Sequence, residues 1–491
     1  VSESEFVLAI EIGSSHIVVA TARLTQSEQT EVALHEWAPS QWKAPATAYL
    51  SHDDTLLFGD EAAHRAAEDP VRAVTDFTHR LGDDIPFVID GCALPAELLY
   101  AEAVRWAIET VTGVEGGDPV ALAITHPTHW GEHRLATLRD ALNQHGISEI
   151  TLVPAAKAVA IDRDASHPLE PGDAVAVYDL GAETAESVVL RKRHDGLFDI
   201  IGETVHIDDI GGSGFDDAVL EHVIAAAALG DSRFAPDLDA SRLRDAVRAA
   251  KEALSFHPDA TITIPVAAAS VRITRSEFED MIVDDVDQSL EALSQAIESA
   301  LLAPSTLTSV VLAGGSSRIP FVAQRLADRC TCPVVVDAAP EASAVLGAAR
   351  AEFGEYRARQ LSEKSTAVEV DEASDEAQHF SPELVGASPA SASALRKGLF
   401  IFFTVVAAVM AGAIVLGGAA AVGDTRLGPS SGVAPSRSDQ SAYPPARPGN
   451  IPNPNPEPAP RADPPPPRDP TRTELIPQKA AQEHTSGVIM G

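Results

Sequence analysis

Two short stretches of the sequence set an acid, a glycine and small hydroxyl-bearing residues between apolar runs. They are Glu11 to Ser15 in LAIEIGSSHIVVATARL and Asp179 to Thr184 in VAVYDLGAETAESVVL. A glycine-containing hairpin tip lets backbone N–H groups approach phosphate oxygens, and Ser or Thr hydroxyls add donors. The acid ahead of each turn suits a water-coordinated Mg²⁺ that shields phosphate from carboxylate. Gly13 and Gly181 lie 168 residues apart, the spacing of a duplicated lobe, so two facing hairpins could clamp one nucleotide. A third element, SVVLAGGSSRIPFVAQRLAD, runs from a strand through Gly314-Gly315-Ser316-Ser317 into a helix, whose N-terminus favours anionic groups. Neither GxxxxGK[ST] nor GxGxxG occurs, which excludes the P-loop and the dinucleotide fingerprint.

The elements that must position these residues alternate from Phe6 to about Phe353, as in an α/β protein. VLAIEI, HIVVATARL, PVALAIT, AVAVYDL, SVVLRK and SVVLAGG read as strands, and ELLYAEAVRWAIETV, RLRDAVRAAKEAL and DVDQSLEALSQAIESALL have helical apolar spacing. Residues 354–397 are acidic and poor in large apolar groups, the composition of a flexible linker with a helical start. Leu399 to Val422 carries no charge and exceeds the ~20 residues that cross a bilayer, so residues 398–422 are expected to form one transmembrane helix. Arg396 and Lys397 precede it, while Gly423 and Asp424 follow it. The positive-inside bias therefore predicts a single-pass protein with its N-terminal domain cytoplasmic and residues 423–491, rich in proline, as a disordered extracytoplasmic tail. Within the span, Ala408/Gly412 and Ala413/Gly417 have small-xxx-small spacing, a common feature of Ala/Gly-rich helices.

At 491 residues the chain exceeds what one core usually serves. Its formal charge of −36 argues against nucleic acid as a partner. Three cysteines, Cys92, Cys330 and Cys332, cannot build a disulfide framework and fit a reducing compartment. The N-terminal VSESEFVLAIEIG has no basic n-region and is not expected to be a signal peptide.

Residues 6–353 resemble the nucleotide-binding domain of the 70-kDa heat-shock chaperones, the DnaK-type branch of the two-lobed actin-like ATPase (ribonuclease-H-like) fold. IEIGSSH and YDLGAET resemble that family's two phosphate hairpins, and FGDEAAHRAAEDP its first small-subdomain helix. AITHPTHWGEHRLAT resembles the strand-to-helix step, with VPAAKAVAI and PEASAVLGAA as the two connecting helices. DIGGSGFDDAVLEHV, AAKEALS and LAGGSSRIP resemble the segments around the adenosine side. The resemblance makes residues 1–353 the nucleotide-binding domain and implies ATP/ADP with Mg²⁺ as cofactors. Gly13, Ser14, Ser15, Gly181, Gly211 and Gly212 would meet the phosphates, and Lys251, Ser255, Gly314, Gly315, Ser316 and Arg318 the ribose and base. Glu11 and Asp179 would hold the metal through water, and Asp179 and Thr184 would be catalytic.

Five positions depart from the family pattern. Glu11 replaces aspartate, Ala63 stands at the catalytic lysine, Val153 replaces a glutamate, and Ala182-Glu183 replace two glycines. A carboxylate close to a triphosphate meets like-charge repulsion, so either Glu183 turns away or the γ-phosphate is not bound as in the family. Hydrolysis is accordingly expected to be weak or absent. After Phe353 no run of β-sandwich strands follows, so clamping of unfolded peptides is not implied. The expected function is a membrane-anchored, chaperone-like nucleotide switch with unidentified protein partners; the alternative is a non-catalytic membrane scaffold. A small-molecule kinase on the same fold is a weaker third. His129, Glu132 and His133 spell HxxEH, formally an inverted zinc-protease motif, but Pro127 and Gly131 set it at a strand-to-helix turn rather than on one helix. The acids of IVDDVDQSLE, with no glycine-containing loop, read as a solvated helix face.

Overall fold

The computed structural model describes residues 5–227, 240–264 and 269–379. Two sheets dominate, and they have one topology. In lobe I the strands run Thr30–Leu34, His16–Leu24, Phe6–Ile12, Ala121–His126, Thr151–Pro154. In lobe II they run Phe198–Ile200, Thr184–Lys192, Ala174–Leu180, Ser309–Ala313, Val334–Val336. Each sheet is an antiparallel meander of three strands extended by two parallel ones. The repeat inferred from two glycines is thus a repeat of whole lobes, and each of the six strand readings and three helix readings overlaps an element of the expected type, with PVALAIT, SVVLAGG and DVDQSLEALSQAIESALL overrunning theirs by two or three residues.

Strand alternation explains how these sheets are buried on both sides, because successive side chains leave opposite faces. Leu8 and Ile10 enter one core with Tyr100 and Leu138, whereas Val7 and Ala9 enter another with Val175 and Val177 of lobe II. This shared core holds the two connecting helices, Ala155–Ser166 and Ser343–His379, sandwiched between the sheets. Their contact faces are alanines, including Ala156, Ala158, Ala160, Ala344, Ala348 and Ala349, so the backbones pack closely. At the crossing a Cβ on Gly347 would stand 1.8 Å from the Ala158 carbonyl oxygen. Only a bare Cα fits there.

The insertions differ between lobes. Lobe I adds the helices Gly59–Glu68 and Ala96–Glu115 and short strands; lobe II adds Gly212–Ala226, Ala240–Leu254, the hairpin strands Asp259–Ile264 and Ala269–Thr274, and Arg275–Ser299. The last helix starts on a capping box, Thr274 with Glu277, which satisfies two otherwise orphaned N–H groups. Its Asp287, read as part of a solvated face, instead binds Arg325 and Arg329 of the helix Pro320–Arg329. The helix Ser343–His379 runs well into the stretch read as a linker. Among the described residues no helix is long and apolar enough to cross a membrane. The apolar run Leu399–Val422 and the proline-rich tail lie outside the described residues.

Candidate functional site

A cavity of about 510 Å³ opens between the lobes, and both hairpin tips form its floor. The tips are built alike. The Gly13 N–H donates to the His16 carbonyl at 2.9 Å, and the Gly181 N–H donates to the Thr184 carbonyl at 2.9 Å. Ser14, Ser15 and Thr184 line the cavity beside these glycines.

Glu11 and Asp179 close the floor from opposite lobes. Burial pushes the Glu11 carboxyl up to about 8, with the Asp179 charge adding to it and a hydrogen bond from the Val345 N–H opposing. Burial, then Glu186, pushes Asp179 up to about 7. One oxygen of Glu11 is buried without a hydrogen-bond partner. Two desolvated carboxylates, one with an orphaned oxygen, suit a hydrated divalent cation, which would remove both penalties together. Asp179 is held in place by Gly314, whose φ of +78° is rarely open to other residues and whose Cβ would sit 2.4 Å from the Asp179 Oδ1.

On the lobe II side, Lys251 donates to the Gly212 carbonyl at 2.6 Å and pairs with Asp216 at 2.9 Å. Ser316 Oγ donates to the Gly181 carbonyl at 2.7 Å, tying the Gly314–Gly315 turn to the second hairpin. Arg318 Nε donates to both oxygens of Glu341, at 3.0 and 2.9 Å. Ser255 and Gly315 complete this wall.

The lobes also meet through a histidine cluster. Glu186 of lobe II accepts from the backbone N–H groups of Thr128 and His129 of lobe I at 3.1 and 2.9 Å, and lies 2.6 Å from His129 Nδ1. Burial would raise the Glu186 carboxyl, but these bonds and the His129 charge more than offset it and hold it below its ordinary value. The His129 ring stacks on His206 of lobe II at 3.9 Å and 4°, and His79 pairs with Asp208 at 3.2 Å.

A family model described as Hsp70 protein matches residues 104–351, half of the chain. The chain belongs to the Hsp70 family. Among its relatives, the chaperone protein HscA homolog of Azotobacter vinelandii is 28% identical over 371 residues, covering 70% of this chain and 56% of that protein. The chaperone protein DnaK of Elusimicrobium minutum is 25% identical over 336 residues, covering 66% and 53%. The HscA homolog of Burkholderia cenocepacia is 27% identical over 372 residues, covering 70% and 57%. The chain thus spans about half the length of the curated relatives it matches.

In this Hsp70-family chain, fourteen of the fifteen residues singled out in the sequence line the one cavity. Gly211 stands behind it: a Cβ there would come within 2.5 Å of the Ala182 carbonyl oxygen, so this glycine lets the chain back onto the second hairpin tip. Glu183 does not line the cavity either, and its charge falls on Asp76. Burial, partly offset by His79, raises Asp76 to about 6, with Glu183 adding to the rise. The carboxylate expected to obstruct a phosphate is therefore not part of the cavity lining, and its charge acts on an acid of the other lobe. Ala63 lies off the cavity, and Val153 is core between Thr125 and the first connecting helix. Neither supplies a polar group to the site.

The HxxEH residues are divided by the fold. His129 precedes the helix Glu132–Gln144 and serves Glu186, while Glu132 and His133 sit on its first turn. Among the described residues no group of three His, Cys, Asp or Glu is placed to hold a metal ion. Sequence reasoning missed Glu186, His16, Lys43, Asp216, Arg248 and Glu341, all of which line the cavity. Glu186 alone carried a signal: it stands two residues after Thr184, on the same face of the strand, and opposite Asp179 in register.

Proposed function

We propose that the cavity binds ATP or ADP with Mg²⁺ and that lobe closure on the nucleotide makes the chain a chaperone-like switch with weak hydrolysis. The supporting observation is the pair of matched glycine turns, each preceded by a desolvated carboxylate, facing one cavity from two lobes of one topology. With the Gly13 and Gly181 N–H groups closing the two turns, the backbone N–H groups of Ser14, Ser15 and Ala182 would bind the polyphosphate at the glycine tips, with Thr184 beside them. Lys251, Ser255 and Arg318 would border the sugar and base. Glu11 and Asp179 would hold Mg²⁺ through water, and the ion would neutralise polyphosphate charge. The small side chains at 63 and 153 leave water activation without the lysine and glutamate of the family pattern, which supports slow turnover. The run Leu399–Val422 would anchor the domain to the cell membrane, with residues 1–397 cytoplasmic and the tail outside.

Those same losses favour a second reading, a non-catalytic scaffold linking cytoplasmic partners to the envelope. Calorimetric titration of the full chain with ATP and ADP plus Mg²⁺, with ATP loss followed in the same samples, separates the two. Micromolar or tighter binding with little turnover is expected. Absence of binding would leave the scaffold, and turnover at the rate of active chaperones would overturn the weak-hydrolysis reading.

A further inference from the structure

The rim of the cavity carries more positive charge than its acids neutralise. Asp216 and Glu341 are largely buried carboxylates, and each already holds one cation at 2.9 Å, Lys251 and Arg318 respectively. Two further cations reach the same carboxylates only at 3.4 Å: Arg248 on Asp216 and Lys43 on Glu341. Their side chains stay 52% and 34% exposed. A carboxylate already in close contact with one cation compensates a second one poorly, especially across a longer, solvated gap. Glu252, one turn beyond Arg248 on the same helix, is exposed and also lines the cavity. The whole lining sets four cations against six carboxylates, but Glu11 and Asp179 belong to the floor and Glu186 to the lobe contact with His129, which leaves Asp216, Glu252 and Glu341 beside the four cations.

The two surplus cations converge on one place from opposite lobes. Lys43 belongs to the strand Lys43–Pro45 of lobe I, which pairs with the strand starting at His16; Arg248 belongs to the helix Ala240–Leu254 of lobe II. Both charges act on His16, whose imidazole is held down at about 4 first by burial, then by Lys43 and Arg248, with Glu341 opposing. His16 is therefore neutral and adds no charge of its own. In a chain of net charge −36, a solvent-facing pair of cations that share carboxylates already paired elsewhere, facing each other across a cleft, leaves room for an anion.

We propose that Lys43 and Arg248 form an anion subsite, separate from the hairpin tips, that takes a phosphate monoester carried on the ribose of the bound nucleotide. This rests on the nucleotide reading above. The position follows from the helix: Arg248, Lys251 and Ser255 recur at i, i+3 and i+7 on the face lining the cavity. With the polyphosphate at the tips and the base beyond Ser255, the sugar passes Lys251, which Gly212 and Asp216 hold in place, and its hydroxyls come within reach of Arg248. The guanidinium offers paired donors to phosphate oxygens, and Lys43 supplies a point charge from the other lobe. A ligand so held bridges the lobes.

The test is calorimetry on the full chain with ADP, with ADP bearing an additional 2′- or 3′-phosphate, and with inorganic phosphate added to the ADP complex. The ribose-phosphorylated nucleotide is expected to bind about tenfold tighter than ADP or more. Lys43→Gln and Arg248→Gln should each reduce that ratio toward one, whereas Arg193→Gln, on the far surface, should keep it. ADP binding in each variant reports that the site is still folded. Inorganic phosphate binding beside ADP through the same two residues would support the subsite and identify the free ion as its source. Equal affinity for the two nucleotides, or a preference that survives both substitutions, would overturn the subsite while leaving the nucleotide reading intact. Failure to bind any nucleotide would overturn both.

Discussion

Asp179 shows how the site trades stability for binding. Its carboxyl is raised to about 7 by burial and by Glu186, so the ligand-free fold is most stable with it protonated. That contribution is present below the ordinary carboxylate pKa and is lost as pH rises through about 7. Asp179→Asn should therefore raise the thermal stability of the ligand-free protein at pH 8, by on the order of 2 kcal/mol, with the gain vanishing toward pH 4. The same variant should lose Mg²⁺-dependent nucleotide binding. Melting curves at both pH values, with and without Mg²⁺-ADP, check the pair of effects. A variant less stable at pH 8 would mean that the carboxylate is not strained.

Among the elements, the connecting helices make the sharpest demands. Gly347→Ala drives a methyl group into the Ala158 carbonyl, and the helices cannot separate without disturbing both sheets. A loss of about 3 kcal/mol or more is expected in denaturant unfolding. Gly354→Ala, seven residues on in the same helix and exposed with nothing within 4 Å, should instead stabilise by about 1 kcal/mol, the ordinary helix-propensity difference. The contrast separates close packing from propensity within one element. The hairpins were legible for a related reason: a small glycine turn between apolar strands leaves a local pattern. Glu186, Asp216 and Glu341 left little, because their partners lie 57, 32 and 23 residues away or more.

For the whole molecule, two sets of titratable groups oppose each other with pH. Glu11, Asp179 and Asp76 have raised values, about 8, 7 and 6, so they favour the fold as pH falls from 8. His16, His126 and His206 are held below 6.5, chiefly by burial, so their contribution is present above 6.5 and is lost as pH falls below it. The ligand-free protein should lose stability as pH rises from about 6.5 to 8, and Mg²⁺-nucleotide should flatten this alkaline side by satisfying the two floor carboxylates. A melting series from pH 4 to 9 tests this; a steady rise in stability to pH 9 would contradict it.

The sequence by itself determined the strands, the long helices, the duplicated glycine turns and the family, because each rests on local periodicity or on short motifs in a fixed order. Most of the residues it singled out also line the cavity. Only the tertiary structure decided which charges answer each other: that Glu183 stays off the cavity, that His129 serves Glu186, and that Lys43 and Arg248 share carboxylates already held by Arg318 and Lys251. The physical reason is that charge compensation depends on distances of a few ångströms between residues far apart in the chain. No local pattern encodes those distances; the packing of two sheets around two alanine-faced helices sets them.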